Sequence, residues 1–304
     1  MFMDNLKSTM ENESNISVTE NGAVGYRTTG KALLDLNFAI ASLRQAKDSD
    51  IINRFEMAYA EDKNLAMKWL FYARDIRGGV GERRLFRVIL KHMVNDHYAE
   101  IKHLIPLVAE YGRWDDLWVL LTTKAKNQVA SIIKEQLAEV LSHMRNKQPV
   151  SLLAKWLPSA KGNKSKSAEK NARLILELIG MTRKEYNRTL SKLRKYLKIV
   201  ERDMCANRWE TINYEAVPSR ANLIYNSAFL RHDESRRRNF LSAVNCGEKK
   251  INSSTLFPHD IVCQYNSYYK EDAGIEALWK ALPDTVKGCG NTIVVADGSG
   301  SMSW

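Results

Sequence analysis

The residues close to the C-terminal end have types and spacing suited to binding a divalent cation. The run Thr292–Ala296 is apolar and largely β-branched, as a strand buried on both faces requires, and DGSGS follows it at residues 297 to 301. Mg²⁺ prefers hard oxygen ligands at octahedral angles. Alternate positions of a tight loop can direct one carboxylate and two hydroxyls to one point, so Asp297, Ser299 and Ser301 are candidate ligands for Mg²⁺ or another divalent cation. The alternative is a Ser/Gly-rich loop with one incidental Asp.

A Gly-rich motif at residues 73–86, ARDIRGGVGERRLF, has some features of a phosphate loop. A phosphate loop needs a strand before it and a helix after it, whereas this motif follows a helix and its glycines match neither G-x-G-x-x-G nor G-x-x-x-x-G-K-[ST]. The spacing therefore predicts a tight turn between two helices. The less favoured alternative is that Arg77, Arg83 and Arg84 contact phosphate close to the start of the second helix.

No constellation in the sequence indicates catalysis. Asp115 and Asp116 stand at the start of an apolar segment, where negative charge suits the helix dipole, and no nearby His or Lys completes an acid–base set. The six histidines show neither H-E-x-x-H nor H-x-H, so no histidine metal site is expected. G-x-S-x-G and similar nucleophile motifs are absent. We expect a non-enzymatic protein. A nuclease or phosphatase that uses Asp297 and a metal is the weaker alternative, because the sequence lacks a second cluster of acidic ligands.

Basic residues are concentrated between Lys155 and Arg202, where 14 Lys or Arg stand against 4 Glu. A Pro/Gly/Ser/Lys-rich loop comes first, and TRKEYNRTLSKLRKYLKIVERD then predicts an amphipathic helix over 182–200. Thr182 followed by Glu185 predicts a capping box at its start. The expected buried stripe is Tyr186, Leu190, Leu193, Leu197 and Val200. The basic row recurs about half a turn away and comprises Lys184, Arg188, Lys192 and Lys195.

This basic row favours a polyanionic partner. Like charges at i,i+4 repel by a few tenths of a kcal/mol per pair, and bound phosphates would offset that repulsion. A crowded, solvated lysine face that binds nothing is the alternative. The motif RHDESRRRNF, with Arg231, Arg236, Arg237 and Arg238, is either a solvated face or an extension of the same track. The predicted contacts to nucleic-acid phosphates are Lys155, Lys161, Lys164, Lys166, Lys184, Arg188, Lys192 and Lys195.

Composition limits the class of protein. The 304 residues include 46 Lys and Arg against 35 Asp and Glu, and 44% are hydrophobic, so wholesale disorder is excluded. No run of 18 apolar residues is available to span a membrane, and the N-terminus does not resemble a secretory signal. The four cysteines lie far apart without a C-x-x-C motif, which favours a reducing, cytoplasmic location.

The hydrophobic periodicity predicts a mainly α protein built as an irregular, degenerate helical solenoid. A polar N-terminal stretch precedes the first helical pattern, which begins after Tyr26. The strand before Asp297 predicts that a second, α/β domain begins near Lys287. The predicted helices lie at 50–62, 64–76, 82–95, 98–111, 113–122, 126–147, 168–180 and 182–200, with shorter ones near 219–231, 234–246, 258–268 and 272–282.

Several strings in order resemble the TROVE-module superfamily (telomerase, Ro and vault), and more closely its bacterial, phage and plant branch. These strings are TENGAVGYRTTGKALLDL, ARDIRGGVGERRLF, VAEYGRWDDLW, LLAKWLPS, YNRTLSKLRKYLKIVE, WETINYEAVPSRA and VVADGSGSM. The last one, with its D-x-S-x-S loop, is similar to the metal-ion-dependent adhesion site of von Willebrand factor A domains. The family's remaining Thr and Asp ligands come from later loops, and the sequence stops at Trp304.

The resemblance implies a HEAT-like solenoid that is closed into a ring by an A-type domain, and non-enzymatic binding of small structured RNAs or single-stranded RNA ends. It implies three regions: a disordered tail at 1–24, a TROVE-like helical-repeat domain at 25–286, and at 287–304 the first strand and metal-site loop of a truncated von Willebrand factor A-like domain. The alternative is a protein-interaction scaffold that holds a protein partner in the solenoid groove and through the metal. No membrane partner is expected.

Overall fold

The chain is mainly α-helical, as its periodicity predicts. The computed structural model describes residues 15–18, 22–160, 165–268, 272–284, 290 and 293. Within these residues, no helix is both long enough and apolar enough to cross a membrane. The predicted strand Thr292–Ala296 lies, apart from Ile293, outside the described residues.

Contacts divide the chain into two compact units, Met1–Leu197 (unit 1) and Lys198–Trp304 (unit 2). The hydrophobic periodicity predicts no boundary at this point, because the predicted helix continues through it to residue 200. That helix ends at Tyr196, and Lys198 has a positive φ of 50°, which a helical residue does not adopt. Each unit has a hydrophobic core of its own.

Unit 1 begins with a small antiparallel hairpin in which Ile16 pairs with Tyr26 and Val18 with Val24. It lies in a stretch where no strand was predicted and, in part, within the expected disordered tail. The other elements of unit 1, within the described residues, are helical. The elements are β1 (Ile16–Val18), β2 (Val24–Tyr26), α1 (Ala32–Phe38), α2 (Ile40–Leu43), α3 (Asp48–Glu61), α4 (Lys63–Arg74), α5 (Arg84–Asp96), α6 (Tyr98–Ile101), α7 (Val108–Tyr111), α8 (Lys126–Arg145), α9 (Leu153–Trp156), α10 (Lys166–Ile179) and α11 (Arg183–Tyr196), with 3₁₀ turns at Ile105–Leu107 and Trp114–Leu120.

The core of unit 1 is made by apolar faces that recur at helical spacing. Phe55 of α3, Leu70 of α4 and Phe86 and Ile89 of α5 are fully buried, because α3 packs against both α4 and α5. Further along the chain, α8 packs against both α10 and α11. The glycines of the motif at 73–86 form the turn between α4 and α5, as predicted.

Unit 2 is also helical within the described residues. Its core contains Tyr214, Phe229, Phe240, Ile261 and Leu278. The elements are α12 (Val200–Cys205), α13 (Ser219–His232), α14 (Glu234–Asn245), α15 (Pro258–Tyr268) and α16 (Ala273–Lys280), with 3₁₀ turns at Trp209–Thr211 and Tyr214–Ala216.

Candidate nucleic-acid-binding surface

The net positive charge of the protein arises entirely from unit 1. Residues 1–197 contain 33 Lys and Arg against 22 Asp and Glu, whereas residues 198–304 contain 13 of each. A surface that attracts a polyanion is therefore expected on unit 1, since unit 2 carries no net charge.

Helix α11 concentrates this charge on one face. It begins with the predicted capping box: Glu185 N–H donates to the Thr182 hydroxyl, and Thr182 N–H donates to the Glu185 carboxylate. Tyr186, Leu190 and Leu193 are buried. In the described part of the chain, no acid lies within ion-pair distance of the four cations of the basic row, all of them exposed: Lys184, Arg188, Lys192 and Lys195.

A segment that carries Lys155 is fastened to the side of α11. Arg194 donates to the Ala154 carbonyl at 2.8 Å, to the Leu157 carbonyl at 2.6 Å and to Ser159 Oγ at 2.9 Å. The Tyr186 hydroxyl adds a bond to the Pro158 carbonyl at 2.8 Å. These bonds, which we call the latch, hold Lys155 beside the helix that bears the basic row.

Arg194 keeps a positive charge that no carboxylate within the described residues neutralises, because its acceptors are two carbonyls and a hydroxyl. Burial lowers the pKa of Arg194, but a guanidinium stays protonated in proteins. Three of its five N–H donors are used in the latch, so two remain for a ligand.

Arg194 also lines a cleft of about 600 Å³ in unit 1. Arg83 and Arg87 of the segment after the Gly-rich turn form part of the wall, with Asp115 and Trp156. The Arg113 guanidinium stacks on the Trp156 ring at 3.9 Å from its centroid, a cation–π contact that fixes the orientation of the indole.

Arginines and aspartates form a network along this wall. Asp116, fully buried, accepts from Arg74 at 2.8 Å and from Arg87 at 2.6 Å. Asp115 accepts from Arg113 Nη2 at 2.7 Å and from Arg83 at 2.6 Å. Four guanidiniums thus share two carboxylates, and the network keeps a positive excess.

Ionisation in the network follows from its charges. Burial of Asp115 opposes its ionisation, but the hydrogen bond and charge of Arg113, with the charges of Arg87 and Arg83, outweigh burial and lower its pKa. Burial lowers the pKa of Arg83, and repulsion from Arg87 and Arg113 adds to this effect. Arg87 Nη2 is buried and lies 3.1 Å from Asp115 Oδ2 without the geometry of a hydrogen bond. The cleft wall therefore contains a donor without an acceptor among the described residues.

The structure describes part of the predicted contact set, and its role in RNA binding stays a prediction. Lys155 is half-buried at the latch, and Lys166 is exposed at the start of α10. Lys161 and Lys164 lie outside the described residues, as do the proposed metal ligands Asp297, Ser299 and Ser301. Asp116 caps the turn at Trp114–Leu120 by accepting from Arg113 N–H at 2.9 Å, in agreement with the cap interpretation.

Three of the four arginines in the run of unit 2 are engaged within that unit. Arg237 is fully buried, Arg236 donates to the carbonyls of Trp209 and Ile212, and Arg238 pairs with Glu234. The run is a continuous stretch of charge in the sequence, but the helical geometry of α14 directs the Arg237 side chain into the core.

The residues of the cleft and the latch lie within a region that matches a known protein family. A family model described as a domain of unknown function (DUF2828) matches residues 19–148 and 126–291. The chain belongs to the DUF2828 family. "Uncharacterized protein L728" of Acanthamoeba polyphaga mimivirus is 31% identical over 328 residues, which cover 95% of this chain and 57% of that protein. The chain therefore spans just over half the length of this relative. No solved structure matches the chain.

Membership of the DUF2828 family corrects the resemblance drawn from the sequence. The assignment to the TROVE-module superfamily, with a von Willebrand factor A-like start, is not supported: the family matched over most of the chain is DUF2828, and neither of the other two is detected. Short Gly-, Trp- and Lys-rich strings carried the resemblance, and such strings also arise from turns, caps and solvated faces of helical proteins.

Proposed function

We propose that this DUF2828 chain binds RNA through phosphate contacts on unit 1, without catalysis. The observation that carries the proposal is the basic row of α11, four exposed cations without an acidic partner in the described residues. A row along one helix face matches the regular spacing of phosphates better than scattered lysines do. Contacts of this kind supply affinity and position rather than sequence choice.

The latch and the cleft extend the proposed surface. Lys155 lies on the segment that Arg194 holds, and Arg194 retains two N–H donors beside the cleft. An RNA strand on the basic row would therefore have further cationic groups at its side. The packing of successive helices in unit 1 supports a stacked, solenoid-like arrangement as part of this proposal.

The test compares two variants that remove the same charge from different places. The row variant replaces Lys184, Arg188, Lys192 and Lys195 with Gln. The matched control replaces exposed lysines on α4, α5 and α8 that have no ion-pair partner in the described residues: Lys68, Lys91, Lys126 and Lys134. Gln has a helix propensity close to those of Lys and Arg, so both variants keep their helices.

Binding is measured by fluorescence anisotropy with a labelled single-stranded oligouridine at low salt. We expect the row variant to bind at least about tenfold more weakly than the wild type, and the control to stay within about threefold, because counterion release follows phosphate contacts rather than net charge alone. Equal losses of affinity in the two variants would show that net charge, rather than the basic row, accounts for RNA binding. A wild-type chain that binds no RNA at low salt rejects the proposal and leaves the protein-interaction scaffold as the hypothesis.

A further inference from the structure

Glu56 meets two histidines that follow it by 36 and 41 residues in the sequence, on the surface of unit 1. Glu56 lies on α3, His92 lies on α5, and His97 follows the last residue of α5. Glu56 Oε1 is 2.6 Å from His92 Nε2 and 3.0 Å from His97 Nε2. The packing of α3 against α5 brings them together, which is why no short histidine motif marks the site in the sequence.

The donor set suits a divalent transition metal. Two imidazole nitrogens and one carboxylate oxygen form the three-ligand set of open zinc sites, in which a water takes the fourth position. The donor atoms around a tetrahedral Zn²⁺ are roughly 3.3 Å apart, so the observed contacts need to open by less than about 1 Å. Without a metal, each nitrogen–oxygen contact needs a proton between its atoms, and a cation at the same point replaces those protons.

The surroundings of His92 resemble those of a metal ligand. His92 Nδ1 lies 2.7 Å from Asp96 Oδ2, so a carboxylate stands next to one ring nitrogen while the other, Nε2, faces Glu56. A carboxylate behind a ligating histidine fixes its tautomer and ring orientation, and is a common partner in zinc sites. The side chains of His92, His97 and Glu56 are 16%, 28% and 35% exposed, so an ion has access from solvent.

A buried polar group without a partner borders the cluster. The ring of Tyr59 packs on His97 with 4.8 Å between centroids, and the side chain is almost fully buried. Its hydroxyl has no hydrogen-bond partner among the described residues. Such orphaned groups commonly mark places that a water or an ion completes.

We propose that Glu56, His92 and His97 bind one Zn²⁺ ion, with Asp96 as the residue that orients His92. The fourth position is open to water. This site is separate from the basic row and does not depend on RNA binding.

The test titrates the full-length chain with Zn²⁺ in competition with a chromophoric zinc indicator. All four cysteines are first replaced with serine, because exposed thiols such as those of Cys205, Cys246 and Cys263 also bind zinc. We expect one equivalent to bind, with loss of binding in His92→Gln and in His97→Gln. His103→Gln is the matched control, since this histidine is exposed on the same unit, and it should bind as the parent does.

Two milder variants keep the proposal falsifiable if a histidine variant does not fold, as judged by circular dichroism. Asp96→Asn should weaken zinc binding by about 10- to 100-fold, the usual effect of losing an orienting carboxylate, and Glu56→Gln should weaken it at least as much. The proposal is overturned if the cysteine-free chain binds no zinc, if folded His92→Gln and His97→Gln bind like the parent, or if Asp96→Asn and Glu56→Gln both bind like the parent.

Discussion

At the scale of single residues, the most unusual group is a fully buried arginine that forms no ion pair with any described carboxylate. Arg237 is 0% exposed and donates to the side-chain oxygens of Asn222 and Asn226, while the rings of Tyr214, Phe229 and Phe240 surround it. Burial lowers its pKa to about 10, so the guanidinium remains charged at neutral pH. Amide oxygens and ring faces replace the water that this charge has lost.

Replacing Arg237 should therefore destabilise the protein strongly, even when the new side chain is of similar size. Arg237→Met leaves two buried amide oxygens without donors, at about 1–3 kcal/mol each, so we expect the free energy of unfolding to fall by about 3 kcal/mol. Arg238→Ala is the control, because Arg238 and its partner Glu234 are both exposed, and it should change stability by less than about 0.5 kcal/mol. Urea denaturation measures the stability of both variants. Small changes of equal size in the two would contradict a stabilising role for the hydrogen bonds of Arg237.

The acid sensitivity of unit 1 has an identifiable source in Asp115. Its folded-state pKa lies below the ordinary 3.8, so its contribution to stability is fully present above pH 3.8 and is lost as the pH falls through the folded-state value. Asp115→Asn should destabilise the chain by about 1–3 kcal/mol at neutral pH. The difference in the free energy of unfolding between this variant and the wild type should become smaller well below pH 3.8, where both side chains are neutral. Urea denaturation at neutral pH and well below pH 3.8 measures this difference. A difference that does not change with pH would contradict the role given to Asp115.

At the scale of elements, the Gly-rich turn between α4 and α5 depends on one of its two adjacent glycines. Val80 N–H donates to the Tyr72 carbonyl at 3.1 Å, which folds the turn back over the end of α4. A Cβ atom at Gly79 would lie 1.9 Å from that carbonyl oxygen, whereas one at Gly78 would meet only the Asp75 carboxylate at 3.6 Å.

The two neighbouring glycines should accordingly differ in their tolerance of alanine. We expect Gly79→Ala to lower the free energy of unfolding by about 1–3 kcal/mol or more, since backbone must move to relieve the overlap. Gly78→Ala should be close to neutral, within about 1 kcal/mol. Thermal denaturation of the pair checks this, and similar melting temperatures would show that the turn relaxes around either side chain.

Elements whose pattern is local could be predicted from the sequence. The helices α3, α4, α5, α8, α10 and α11 follow periodic apolar residues, and the capping box of α11 begins where Thr182 and Glu185 place it. The predicted helix over 98–111 is broken into short pieces, with Pro106 at the start of a 3₁₀ turn. Pro lacks the N–H that an uninterrupted helix would need.

Sites whose partners are distant in sequence could not be predicted in this way. The basic row of α11 was visible because it repeats along one helix. The pair of Arg74 and Asp116 spans 42 residues, and the contact between Arg194 and Ala154 spans 40. The histidine cluster depends on the packing of α3 on α5. The spacing of residues along the sequence does not show that these groups lie close together in the folded chain.

At the scale of the whole molecule, charge and cores divide in the same place. Unit 1 holds the entire positive excess, and each unit has its own core. We expect a fragment of residues 1–197 to melt cooperatively, and to bind oligouridine within about threefold of the full chain. A fragment of residues 198–304 should show no salt-dependent binding. Circular dichroism and anisotropy measure these properties, and RNA binding by the second fragment would contradict the assignment to unit 1.

The salt dependence of RNA binding tests the central claim most directly. The logarithm of the association constant falls linearly with the logarithm of salt concentration, by about 0.7 per phosphate contact on a single strand. The full chain should show a steep slope, and the row variant of α11 should reduce it by up to about 2.8, while the control variant leaves it nearly unchanged. Identical slopes for the wild type and the row variant would show that Lys184, Arg188, Lys192 and Lys195 do not contact phosphates, which would contradict the account.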